Sequence, residues 1–150
     1  MGKTIAEKIL ADHVGHPVSA GDVVIAPLDF VFWDDSNRPQ ACDVFKQLGG
    51  TRVFDPRRIG AFLDHAGLSP NPAVAMVHRT MREFSREQGI EVYEIGQGIA
   101  HQLIPELGLA GPGDLLIGAD FYICTIGVLN VFGTNIKSNN LTTTILTNKL

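Results

Sequence analysis

Asp64, His65, His101 and Asp120 are the side chains of this sequence best suited to moving a proton. Each stands where an apolar run gives way: Asp64-His65 after residues 59–63, His101 in the stretch after residues 92–95, and Asp120 after residues 115–119. A carboxylate beside an imidazole favours the charged imidazolium, raises its pKa and makes it a usable acid near neutral pH. As a bare dipeptide, Asp64-His65 also suits an ordinary loop, because adjacent residues of a strand point to opposite faces. His101 alone also suits a helix cap or a satisfied core position, and Asp120 alone a helix cap. Gly96-Gln97-Gly98 before His101 permits close backbone approach to an anion at a helix start, but it lacks the third glycine of a dinucleotide fingerprint. His13, His16 and His78 have no comparable setting, and His78, beside Val77 on an amphipathic stretch, reads as structural.

Whether these residues can meet depends on the elements that carry them. Thr4 caps a first helix through Ile5, Ile9 and Leu10 that ends near Gly15. Residues 23–26 form a short apolar run of the kind expected in a strand buried on both faces. Asn37 with Pro39 opens a second helix over residues 40–48, closed by Gly49-Gly50. Residues 52–54 and 59–63 read as short strands around the Asp55-Pro56 turn. Asn71-Pro72 begins the strongest helix, with Val74, Val77, Met81 and Phe84 inward, Arg79, Arg82, Glu83 and Arg86 outward, and Gly89 as its stop. Residues 91–95 alternate like a strand, a helix runs through His101, Leu103 and Ile104, and residues 115–120 form another buried strand. This alternation predicts one α/β domain over residues 1–150, three layers deep (α/β/α), with a largely parallel sheet. In such sheets ligands gather beyond the carboxyl ends of the strands, where the three polar sites fall.

The 150 residues carry a net charge of −4 and 45% hydrophobic side chains, enough for one core and incompatible with general disorder. Scattered Lys and Arg on a mildly acidic chain speak against nucleic acid as a partner. Residues 121–132 are the longest apolar run, yet they fall short of the ~20 residues of a membrane helix and suit a buried element after a strand. Cys42 and Cys124 fit no zinc or redox spacing and cannot supply the ligands of an iron–sulfur cluster. Both are expected reduced and buried, in a cytoplasmic chain without a secretion signal. From Phe121 onward the composition shifts to five Asn and six Thr, with Lys137 and Lys149 the only charged residues. Residues 121–150 thus form a compositionally drifted segment, and Thr142-Thr143-Thr144 predicts a poor helix there.

Several separated motifs carry a resemblance. They are the opening Met1-Gly2-Lys3-Thr4-Ile5-Ala6-Glu7-Lys8-Ile9-Leu10, Ala20-Gly21-Asp22, Arg52-Val53-Phe54-Asp55-Pro56 and Leu63-Asp64-His65. Gly98-Ile99-Ala100-His101-Gln102, Pro112-Gly113-Asp114 and Gly118-Ala119-Asp120 continue the series. In their order and spacing the chain resembles the amino-terminal part of the large subunits of 3-isopropylmalate dehydratase and its aconitase-superfamily relatives, homoaconitase and dimethylmalate dehydratase. The resemblance covers essentially the whole chain and implies an incomplete aconitase-like N-terminal domain. It implies a hydro-lyase of the leucine-biosynthesis type that dehydrates and rehydrates a 2-hydroxy di- or tricarboxylate. In the full-length family a [4Fe–4S] cluster supplies the Lewis acid, and a small swivel-domain subunit is the partner. By the same resemblance Asp64-His65 protonates the leaving hydroxyl, and His101 with Asp120 forms a second histidine–carboxylate pair. Asp34, Asp35 and Ser36 fall where relatives contact substrate or cluster surroundings.

Two departures qualify these expectations. The family reads Gly-Ala-Asp-Ser-His-Thr where this chain has Gly118-Ala119-Asp120-Phe121-Tyr122-Ile123, so two apolar residues and a phenol are expected to fill space meant for a polar substrate. The family's three cluster cysteines lie in a part not represented here, and Cys42 and Cys124 do not replace them. The chain alone is therefore expected to supply no metal ligand, to hold no cluster, and to be inactive by itself. The alternative expectation is a non-catalytic remnant or interaction module of the same fold; a third is an anion-binding module using residues 96–102. An exposed sheet edge and apolar patches, with poor solubility, are expected as well.

Overall fold

A computed structural model of the chain describes residues 2–37 and 40–149. The first and the longest of its helices begin and end where the sequence supplies caps. Thr4 accepts the Glu7 N–H while the Glu7 carboxylate accepts the Thr4 N–H, starting α1 (Ile5–Val14), and Gly15 closes it at φ 74°. Asn71 caps α3 (Pro72–Gln88), and Gly89 stops it at φ 75°. Between them lies α2 (Gln40–Gln47), as expected; Pro39, expected at its start, lies outside the described residues.

The strands are β1 (Phe30–Asp34), β2 (Ile59–Phe62), β3 (Glu91–Tyr93), β4 (Leu115–Gly118) and β5 (Phe132–Asn135). They form one sheet in the order β3-β2-β1-β4-β5, and every pairing is parallel. The order reverses between β1 and β4, the switch point at which the two halves of an α/β sheet diverge and leave a crevice.

Alternation along the strands builds two cores. Val31, Trp33, Ile59, Ala61, Leu115 and Ile117 face α2, α3 and α5 (Ser138–Thr147), whose Phe45, Phe84 and Ile145 pack on them. Phe30, Phe32, Phe62 and Leu116 face the other way, against Leu103 and Ile104 of α4 (Ala100–Glu106) and Ile123 and Ile126 of a 3-10 helix (Ile123–Leu129). This is the three-layer α/β arrangement expected, with the sheet parallel throughout. On the second face Gly118 leaves room for the Phe32 ring: a Cβ there would lie 2.5 Å from Phe32 Cε1 and 2.9 Å from Ile123 Cδ1.

Four expectations are corrected. Residues 23–26 are not a strand; Val23 is 97% and Ile25 70% exposed, and the central strand forms instead at the aromatic-rich Phe30–Asp34. Residues 52–54 do not pair in the sheet, although Val53 is buried and bonded through its N–H to Gln88. The Thr-rich tail is helical as α5, because Leu141 and Ile145 are buried and the threonine hydroxyls find carbonyls: Thr142 donates to Ala41, Thr144 to Asn140 and Thr147 to Thr143. Cys42 is buried as expected, but Cys124 is exposed. Among the described residues no helix is long and apolar enough to cross a membrane.

Candidate active site

Four side chains picked out in the sequence meet at the carboxyl edge of the sheet, beside the switch point. The chain leaving β2 places Asp64 Oδ1 2.7 Å from His65 Nδ1. The chain leaving β4 brings Asp120, whose Oδ2 lies 3.6 Å from His65 Nε2 and whose Oδ1 lies 3.1 Å from His101 Nε2. Asp120 therefore sits between two imidazoles. Asp64 is shared as well: its Oδ2 accepts the Ala100 N–H at 2.7 Å, at the start of the helix that carries His101. The His101 ring stands edge-on to Phe32, 6.4 Å between centroids, and its Nδ1 is 3.2 Å from Thr125 Oγ1. Sequence reasoning did not single out Thr125; its place on a 3-10 helix facing α4 carries no local signal.

Burial separates the members. Asp64 and Asp120 are almost wholly covered, while the His65 side chain is 39% exposed and so can reach a solute. Burial draws the His65 imidazolium pKa down, but the Asp64 hydrogen bond and the charges of Asp34, Asp64 and Asp120 overcome it and leave the ring above its ordinary value.

Asp34, Asp35 and Ser36 end β1 next to this group. Asp34 Oδ1 accepts the N–H and the hydroxyl of Ser36 at 2.8 and 2.5 Å. Burial pushes the Asp34 carboxyl above its usual range, with the Ser36 donors and His65 opposing. Asp35 accepts the N–H groups of His65 (2.9 Å) and Ala66 (3.0 Å), and its Oδ2 is 2.7 Å from Nε2 of the buried His78. Burial raises the Asp35 carboxyl, but these donors outweigh it and hold it below its usual range. Asp34, Asp35 and His65 offer atoms within 4.8 Å of one another, a spacing a cation could bridge, yet Asp35 has both oxygens engaged by protein donors. His78, read as structural, is buried and hydrogen-bonded to both Asp35 and Ser69. The sequence did carry a signal: it is three residues from Met81 on the inward side of α3, where a polar ring needs a buried partner.

Phe121, Tyr122 and Ile123, expected to fill space in the pocket, are placed differently from one another. Ile123 turns into the core beneath Gly118, while Phe121 and Tyr122 are 84% and 69% exposed. Tyr122 donates its backbone N–H to Asp120 Oδ1.

Comparison with known proteins gives the family. The Aconitase family (aconitate hydratase) matches residues 7–150. The chain is 47% identical over 152 aligned positions to 3-isopropylmalate dehydratase large subunit 1 of Pyrococcus abyssi, covering 98% of this chain and 36% of that protein. It is 45% identical to the large subunit 1 of Pyrococcus furiosus, covering 97% of this chain and 35% of that protein. For Methanopyrus kandleri large subunit 1 the identity is 40%, covering 100% of this chain and 36% of that protein. The chain spans about a third of the length of these relatives. A match over nearly all residues, on a parallel sheet with histidine–carboxylate pairs at its switch point, places this chain in the aconitase family.

Proposed function

We propose that this chain supplies the acid–base wall of a hydro-lyase site of the 3-isopropylmalate dehydratase type, acting on a 2-hydroxy di- or tricarboxylate. The observation that carries the reading is the meeting of Asp64, His65, Asp120 and His101 at the β1/β4 switch point. Asp64 fixes the proton on His65 Nδ1, so Nε2 is the nitrogen that serves the pocket. With its pKa raised, the ring keeps a proton there to give to a leaving hydroxyl, and takes one from water in the reverse addition. Asp120 holds His101 and faces the same nitrogen, stabilising the imidazolium.

Full-length members of the family carry a [4Fe–4S] cluster, whose protein ligands are thiolates. The thiols of this chain do not fit that role. Cys42 lies in the core, where burial pushes its thiol up to about 12, and Cys124 is exposed on the 3-10 helix. The reading therefore assigns no cluster ligand to these two cysteines, and the small-subunit partner belongs to it as an expectation. A cytoplasmic setting belongs to the same reading.

Titration of the chain, 15N-labelled at histidine, with 3-isopropylmalate tests it by NMR. Saturable shifts of the His65 and His101 rings, lost in His65→Gln, are expected; rings that stay unmoved at saturating dicarboxylate overturn it. The exposed Phe121 and Tyr122 at the rim favour a second reading, a non-catalytic interaction module of the same fold. Reconstitution with iron and sulfide that yields a stable cluster and dehydrates 3-isopropylmalate refutes that second reading.

A further inference from the structure

We infer that His78 is a positioning residue for His65, acting through Asp35; the inference rests on the reading of His65 as the proton donor. The His78 ring is wholly buried on the inner side of α3 and bridges two segments that flank the site. Its Nε2 lies 2.7 Å from Asp35 Oδ2, and its Nδ1 lies 2.8 Å from Ser69 Oγ. The carboxylate accepts, so Nε2 carries a proton, and Nδ1 shares the second hydrogen bond with the Ser69 hydroxyl. Asp35 passes the constraint on, because its oxygens hold the backbone N–H groups of His65 and Ala66.

Residues 65–69 are therefore gripped at both ends by one imidazole, through Asp35 at the start and Ser69 at the finish. The backbone between records the tension. Leu68 has φ 66° and Ser69 φ 44°, left-handed conformations that residues with a Cβ avoid unless their surroundings impose them. Two consecutive such residues bring the Ser69 hydroxyl back to the helix. Without the His78 ring, Asp35 Oδ2 keeps only the Ala66 N–H, the loop loses its second anchor, and the His65 ring loses its fixed height against Asp64 and Asp120.

The test compares the wild-type chain with His78→Leu, His78→Gln and Ser69→Ala by amide exchange and by 15N signals of the His65 ring. In His78→Leu, exchange at His65 and Ala66 is expected to quicken about tenfold, the loss of one charge-assisted hydrogen bond. The Leu63 amide, bonded to Tyr93 in the sheet, is the internal control and is expected to change far less. The His65 ring signals are expected to move in His78→Leu and to return in His78→Gln, whose amide can still donate to Asp35. A folded His78→Leu chain with unmoved His65 signals overturns the inference. Should His78→Leu fail to fold, Ser69→Ala decides: a smaller shift of the same signals supports it, and none overturns it. Failure of 3-isopropylmalate to bind leaves these readouts untouched, so the two proposals fail separately.

Discussion

The two edges of the sheet hold the same residue types to opposite effect. Just before β1, His13 meets Asp29 at 2.6 Å; just beyond β2, His65 meets Asp64 at 2.7 Å. At the first edge every direction is taken. The Asp29 carboxylate also accepts the Leu115 N–H and the Arg58 guanidinium, His13 Nδ1 is bonded to the Ile9 carbonyl, and Arg58 reaches the Leu28 and Asp29 carbonyls. At the second edge His65 Nε2 faces a carboxylate at 3.6 Å across a partly open space. The His13 side chain is 11% exposed and the His65 side chain 39%. A histidine–carboxylate pair is thus a brace when both partners are fully engaged, whereas the more exposed His65 ring stays within reach of a solute, as its proposed role requires.

The sharpest way to break this comparison is to cut at both edges. Asp29→Ala strands the Leu115 N–H and takes the carboxylate from His13 and Arg58, and is expected to cost about 2–3 kcal/mol in urea unfolding. His65→Ala is expected to cost under about 1 kcal/mol, since its ring is an exposed partner. Equal losses would mean that both pairs are braces. Gly118→Ala is expected to cost about 1–3 kcal/mol, because the new methyl displaces the Phe32 ring. The same substitution should shift the His101 ring signals through its edge contact with Phe32.

A third test uses pH. Burial draws the His13 pKa down, but the Asp29 hydrogen bond, the Ile9 carbonyl and the charges of Asp29 and Asp12 overcome it and raise it above 6.5. Its contribution to stability is accordingly complete below that value and is lost as pH rises through the folded-state pKa. Between about pH 6 and about pH 9 the wild type should lose under about 1 kcal/mol relative to His13→Asn, measured by unfolding at each pH. Smallest is Leu68→Gly, which relieves a left-handed residue and should raise the melting temperature by ~2 °C.

Much of this was legible beforehand. Thr4 with Glu7, Asn71 with Gly89, and the inward series of α3 specify their helices locally, so the sequence places them closely. The polar residues ending apolar strands pointed to the site because a parallel sheet has one functional edge. The misses share a physical cause, which is that burial is decided by partners distant in sequence. Residues 23–26 are as apolar as a buried strand, yet the aromatic run from Phe30 takes the central place. Thr142 is wholly buried in a helix because Ala41, 101 residues away, accepts its hydroxyl. His78 was legible as structural, but its partners were not, because Asp35 and Ser69 are 43 and 9 residues distant.

One carboxylate has a mechanical consequence. Asp64 spends one oxygen on the His65 ring and the other on the Ala100 backbone. The two imidazoles are therefore not independent levers: a solute that tilts one drags the base of the other. Occupancy of the crevice would then register on both rings together, as a single concerted swing rather than two separate adjustments.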